Sequence, residues 1–450
     1  MAVRDPVVLE QRLNDFDPNV RRDALAALAA LSESAWKEPG GNVNLHVHSF
    51  FSYNAQGWSP SRIAWEARKS GWYAAGLCDF DVLDGLDEFL AAGRTLGLRT
   101  AVHLETRAFL RAQAAVEINS PGEPGVSYVM GGGFFAVPAG PAAEDLSAYR
   151  RAARERNEAL VVRINARLPR LGIDYGRDVL PRTPAGVATE RHIVAAYVDR
   201  AAIVLRAADA RAAFWAPVLG LPAAEAARLE EADRPAFEER VRGALAKRGG
   251  LGYVQPDERT FPPAEDFIGW VRRCGAIPLA TWLDGTSEGE RDARGLLGAL
   301  TELGCAGVNV IPDRNWNLPR PADRALKTAR LAEIVAAARG LDLPINVGTE
   351  MNRPGLPAID DLDGPVLREH RAAFLEGARV FVGHTVLATY ADMPYLGPRA
   401  GEEFPGRRAR NAFYAAVGAL PPLTAEMADR LLDAGPERAR RMLREAAAKH

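Results

Sequence analysis

Cysteine is scarce in this chain, and neither sign of charge is in excess. The three cysteines, Cys78, Cys274 and Cys305, are an odd number, far apart and without a C-x-x-C pair. That excludes a disulfide framework and favours a reducing compartment. Fifty-six Lys and Arg against 58 Asp and Glu leave a net charge of -2, so no global field draws nucleic acid or an anionic membrane. No apolar window reaches the roughly 18 uncharged residues that a membrane span needs. The opening segment MAVRDPVVLEQRLNDFDP is charged and lacks the apolar stretch of a signal peptide. These absences predict a cytoplasmic protein with neither nucleic acid nor membrane as partner; they leave its oligomeric state open.

Histidine is also sparse, at seven in 450 residues, yet two of the seven fall within NLHVHSFFS at 44–52. Val43, Leu45 and Val47 alternate there with Asn44, His46 and His48, the period-two pattern of a strand. The two imidazoles then share one face, about 7 Å apart along the strand. A single histidine in such a place is ordinarily a hydrogen-bonded core residue. Two side by side need a partner for every buried ring nitrogen, and a divalent cation satisfies both at once. The segment alone leaves both readings open.

The pattern predicts strands near 43–48, 74–79, 99–105, 126–130, 277–281, 307–311, 344–349 and 379–383, with amphipathic helices between several of them, such as 60–70, 85–97, 290–303 and 323–339. This alternation argues for an α/β barrel of seven or eight units. It lapses between 141 and 265, where Ala-, Arg- and Glu-rich sequence reads as helical throughout and is too long for a loop. The expected organisation is a helical extension over 1–40, a barrel over 41–140 and 266–395, a helical insertion over 141–265 and a helical tail over 396–450. No internal repeat stands out.

Polar clusters sit at the C-terminal ends of most expected strands. They are His46 and His48; Asp79 and Asp81; His103, Glu105 and Arg107 on one face; Asp284; Glu350 and Asn352; and His384. In a parallel barrel these ends meet on one rim, where active sites of such barrels lie. Each acid taken singly reads as a helix N-cap or a solvated loop residue. Jointly, two histidines and several carboxylates need a cation to offset their repulsion, and this donor set suits zinc, manganese or iron better than calcium. Arg107 could clamp a phosphate or carboxylate bidentately, or pair with Asp79 or Asp81. TERH places Arg191 and His192 at a helix start in the insertion, where they could reach substrate as part of a lid; a solvated helix face accounts for Arg191 as well. Asp284 and His384 could be metal ligands, proton-transfer groups or orienters of a ligand.

HVHSFFS, CDFDVLDG and HLETR, in that order within residues 42–110, resemble the opening motifs of the PHP (polymerase and histidinol phosphatase) superfamily: His-x-His, Thr-Asp-His-Asp near a Gly, and Gly-x-Glu. Further along, INSPGEPGVSYV, TERH, TWLDGTSEGE, GTEMNRPG and GHT resemble a poorly characterised PHP subfamily. The resemblance implies a distorted (βα)7 barrel binding up to three metals, and mainly phosphoester hydrolysis. It implies His46, His48, Asp79 and Glu105 as ligands, with Glu105 bridging, and it sets Glu350 and Asn352 where the superfamily usually has Asp-x-His.

The chain departs from the pattern at Phe80 (for His), His103 (for Gly), Thr281 (where many relatives carry a His before Pro) and Gly131 to Gly133 (no His). One metal site rather than three follows. His103 is expected either to supply the imidazole that Phe80 removes or to pack beside Phe80. The implied activity is metal-dependent hydrolysis of a small phosphorylated or anionic substrate. Asp79 would complete the metal shell or orient the nucleophile, Arg107 would hold the anion, and His384 would move a proton. The alternative is a catalytically degenerate barrel that binds a metal or small ligand.

Overall fold

The computed structural model describes residues 5–32 and 36–449. Seven strands form one sheet in sequence order: β1 Val43–Val47, β2 Ala74–Phe80, β3 Arg99–Phe109, β4 Val126–Gly132, β5 Ile277–Trp282, β6 Gly307–Val310 and β7 Ile345–Val347. Pairing is parallel except around β4, which runs antiparallel to both β3 and β5. The β3–β4 connection holds only the short turn Arg111–Gln113, without the helix that usually carries a parallel crossover. The sheet closes through Glu350, just beyond β7. Its N–H donates to the His46 carbonyl at 2.7 Å, and its carbonyl accepts from the His48 N–H at 2.9 Å. The architecture is the expected distorted seven-stranded barrel wrapped by helices.

The helices begin where local signals place them. Ser59 caps Pro60–Lys69 by accepting from Arg62 N–H, with Pro60 in the first turn, and Asp292 caps Ala293–Glu302 by accepting from Gly295 N–H. Leu45, Leu77, Val102, Leu104, Val129 and Val308 are buried on the outer face of the sheet against this helical layer. Helices Pro6–Arg12 and Pro18–Ser32 precede the barrel. Residues 1–4, 33–35 and 450, parts of the expected 1–40 and 396–450 segments, lie outside the described residues. Among the described residues no helix is long and apolar enough to cross a membrane.

The expected eighth strand at 379–383 is a correction. Those residues lie inside the helix Arg371–Ala391. A short apolar run such as VFV cannot be told from buried helix by periodicity alone, and here nearly every face of the helix is covered. Two glycines let it approach its neighbours. A Cβ at Gly377 would fall 1.9 Å from the Ile345 carbonyl oxygen, and one at Gly383 would fall 1.9 Å from that of Tyr414.

Between β4 and β5 run the helices Pro141–Arg167, Glu190–Val204, Ala208–Leu219, Ala223–Ala232 and Arg234–Ala246. They share an apolar cluster of their own that includes Ile164, Tyr197, Trp215, Phe237 and Val241. The reading of this stretch as helical throughout is too simple: residues 168–189 hold only short 3-10 and π-helical turns between irregular chain, and residues 247–263 carry no helix.

Candidate metal centre and cavity

The inner face of the barrel is polar. Alternation aims Asn44, His46 and His48 of β1, Cys78 of β2, His103 and Glu105 of β3, Thr281 of β5, Asn309 of β6 and Asn346 of β7 inward, and all are buried. Among them, both ring nitrogens of His103, Glu105 Oε2, Thr281 Oγ1, Asn309 Nδ2 and Asn346 Oδ1 have no hydrogen-bond partner. Each such atom costs about 1–3 kcal/mol if left unsatisfied. A barrel core built only for stability would be apolar.

Three donors converge. His46 Nε2 and His48 Nε2 stand 3.3 Å apart, and Glu105 Oε2 lies 3.5 Å from the first and 3.6 Å from the second. The other ring nitrogens fix the tautomers. Asn309 Oδ1, 3.2 Å from His46 Nδ1, can only accept. Ser52 Oγ, 3.1 Å from His48 Nδ1, gives its own proton to Asp79 Oδ1 at 2.6 Å, so it too accepts. Each Nε2 is thus left to face the carboxylate oxygen, offering its lone pair when an ion is bound and, on His46, a proton when none is. Metal–ligand bonds of about 2.0–2.2 Å in a tetrahedral site imply edges of about 3.3–3.6 Å between ligand atoms. The triangle fits that size, and the Nδ1–H partners are of the kind that orient metal-bound imidazoles. Among the described residues this is the group of His, Cys, Asp and Glu side chains able to hold an ion.

The electrostatics agree. Burial opposes charge on His46, but the Glu105 carboxylate draws its pKa well above the usual imidazole range. Burial also opposes charge on Glu105, yet His46 and His48 pull it down to about 2. The pocket thus stabilises positive charge at its centre, which a divalent ion supplies. Burial pushes the Cys78 thiol up to about 12, so it stays protonated.

Several expected site residues lie outside this group of donors and make other contacts. Asp79 points to the other side of β2 from Cys78. It accepts from the Ser49 N–H and Oγ, both at 2.7 Å, and from Ser52, so it orients His48 through Ser52 rather than ligating. Glu350 accepts from Arg314 Nη2 at 2.7 Å and is not among the converging donors. Asn352 lines the cavity above without joining them. Asp284 is taken by Lys327 at 2.6 Å and by Thr286. His384 sits in the Arg371–Ala391 helix, bonded to the Gly133 carbonyl and the Tyr395 N–H, and burial lowers its pKa to about 4. Both of its ring nitrogens are thus occupied by backbone groups. His103 is not among the converging donors and does not pack beside Phe80: its ring meets Phe381 edge-on at 5.5 Å. Burial, with His46 and His384 nearby, lowers its pKa to about 3. Phe80 instead stacks on His48, ring centroids 4.4 Å apart.

Above the triad lies a cavity of about 640 Å³ lined by strand ends and by the 141–265 helices. Nine Lys and Arg and six Asp and Glu line it, so its field favours anions. Arg107 is there, over the Phe261 ring at 4.4 Å and paired with Glu123 at 3.1 Å, not with Asp79 or Asp81. Arg191 also lines it, paired with Glu239 at 2.9 Å. His192 does not. Its Nδ1 accepts from the Thr189 N–H as part of a capping box, and burial and Arg182 lower its pKa to about 4.

Sequence reasoning missed Asn309, Ser52 and Arg314. Asn309 was legible as the inward polar residue of GVNV, and Arg314 as part of the polar DRN just past the sixth strand. Nothing local marked Ser52. Replacing Ser52 by Ala should lower metal affinity about 10–100-fold while leaving the fold intact; an unchanged metal-titration curve would remove the relay from the account.

No protein-family model matches the chain, and no curated protein matches it. Solved structures do. One is a proposed metal-dependent phosphoesterase from Bifidobacterium adolescentis, 19% identical with a TM-score of 0.46, the match covering 75% of this chain and 98% of that one. Another is an amidohydrolase from Chromobacterium violaceum with bound sulfate and no metal, 18% identical with a TM-score of 0.48, covering 74% and 96%. Both neighbours bear the names of hydrolases.

Proposed function

We propose that this protein is a metal-dependent hydrolase, a phosphoesterase of the PHP type, acting on a small phosphorylated substrate held in the cavity. The observation that carries the reading is the triangle of His46 Nε2, His48 Nε2 and Glu105 Oε2, sized for one zinc, manganese or iron ion. When bound, such an ion lowers the pKa of a water and polarises a phosphoryl oxygen. Asn309 and the Asp79–Ser52 pair hold the two imidazoles in the ligating tautomer. The excess of cationic side chains in the cavity attracts the substrate anion. Arg156 and Arg163 are bonded to the backbone carbonyls of Thr260 and Gly252, so their charge is left for an anion.

One observation favours a second reading. The triad is 0–1% exposed, with Phe80 stacked on His48 and facing the cavity. A sealed ion would be structural, and the protein a ligand-binding barrel. Turnover decides between them. Chelator-treated protein should not hydrolyse an aryl phosphate, and added manganese or zinc should restore hydrolysis. Tight metal binding without turnover of any phosphoester in a broad panel would favour the second reading; turnover indifferent to chelation would overturn the first.

A further inference from the structure

Arg314 follows β6 in the short helix Asp313–Trp316 and lines the cavity at the end where Phe80, Arg107 and Glu350 also lie. Its Nη2 donates to Glu350 Oε2 at 2.7 Å. Its Nε is buried without a partner, and 39% of its side chain remains accessible to the cavity. Arg107, by comparison, meets two carboxylates, Glu123 and Glu190. Arg314 has one carboxylate and is near enough to feel Glu105 of the triad.

The carboxylate that holds it is itself fixed with unusual firmness. Glu350 has φ 62° and Met351 φ 52°, two successive non-glycine residues in the left-handed region. That backbone is unfavourable by about 1–3 kcal/mol per residue and persists only when its surroundings demand it. Here the demand is visible. The Glu350 peptide groups bond to the main chain at His46 and His48, the two residues whose imidazoles make the triad. The left-handed turn lets one residue close the barrel and anchor Arg314. The guanidinium is thereby held in fixed relation to the triad, with donors to spare.

We propose that Arg314 is a substrate-binding residue, a fixed cation that receives the phosphoryl group or another compact oxyanion beside the metal centre. This deepens the phosphoesterase reading and rests on it for the identity of the substrate, but not for the binding of an anion. Guanidinium is suited to the task because its planar fork presents paired N–H groups to an oxyanion. A single positive charge placed beforehand also needs no reorganisation when the anion arrives.

Inorganic phosphate is the probe, titrated into metal-loaded wild-type protein, R314A and R314K, with metal content and thermal midpoint measured on each. Wild-type protein should bind phosphate. R314A should bind it at least about tenfold more weakly with metal content unchanged, and R314K should fall between. Equal phosphate affinity in all three, or no phosphate binding by the wild type, would overturn the proposal. If R314A does not fold, the comparison of R314K with wild type decides: the same affinity in both overturns it. Arg314-dependent phosphate binding without turnover of any phosphoester would sink the hydrolase reading and leave this one standing.

Discussion

Replacing His46 and His48 together by Ala is expected to strip the barrel of metal and to abolish any metal-dependent turnover. Two of the three converging donors disappear, leaving Glu105 as a lone carboxylate in a closed interior. Loss of a residue that merely orients a ligand weakens metal binding about 10–100-fold, so loss of two ligands should exceed that range. The metal-free protein should also be less stable, because Glu105 Oε2 has no partner besides the two imidazoles. Removing one side of a buried charged pair is destabilising by about 3–5 kcal/mol unless the remaining group neutralises. Elemental analysis of purified protein, with circular dichroism to establish folding, checks the expectation. A folded double variant that keeps its full complement of metal would refute the centre.

Gly383→Ala should be strongly damaging although it lies away from that centre. The added methyl would lie 1.9 Å from the Tyr414 carbonyl oxygen, and in the same helix crossing a methyl at Gly418 would lie 1.9 Å from that of Arg379. Backbone cannot yield as a side-chain tip does, so the two helices must separate. Overpacking of this kind is destabilising by about 1–3 kcal/mol or more. Intrinsic propensity points the other way, since Ala is favoured over Gly within a helix by about 1 kcal/mol. The sign of the change in thermal midpoint therefore discriminates. A fall marks a tight helix crossing; a rise would mean that the 371–391 helix does not pack against 407–419 as described.

The barrel strands were legible because each carries its own signal. VNLHV, AAGLCDF and IPLATW are short, apolar or alternating, and bounded by turn residues. The run VFVGH carries the same signal and is a helix, because burial on every face erases the amphipathic stripe that would have told the two apart. The direction of β4 was equally hidden. It follows from the lack of a crossover helix before it, and the sequence of 110–125 does not declare that.

The candidate site divides in the same way. His46, His48 and Glu105 could be picked out because a polar residue on the inner face of a buried strand is expensive and conspicuous. Asp79, Asp284, Glu350, His192 and His384 looked equivalent along the chain but are claimed by other partners: serines, a lysine, an arginine, a backbone N–H and a carbonyl. Arg314, 36 residues before Glu350, shows the converse. Its importance lies in the carboxylate it meets.

By itself the sequence determined the alternation of strands and helices and the inward placement of two imidazoles and a carboxylate, because those follow from periods of two and 3.6 residues that are local to the chain. Only the tertiary structure decided which side chains meet. Ligation, ion pairing and orientation require atoms within about 3–4 Å, and barrel closure, strand register and helix crossings bring residues to that distance from far apart in the chain.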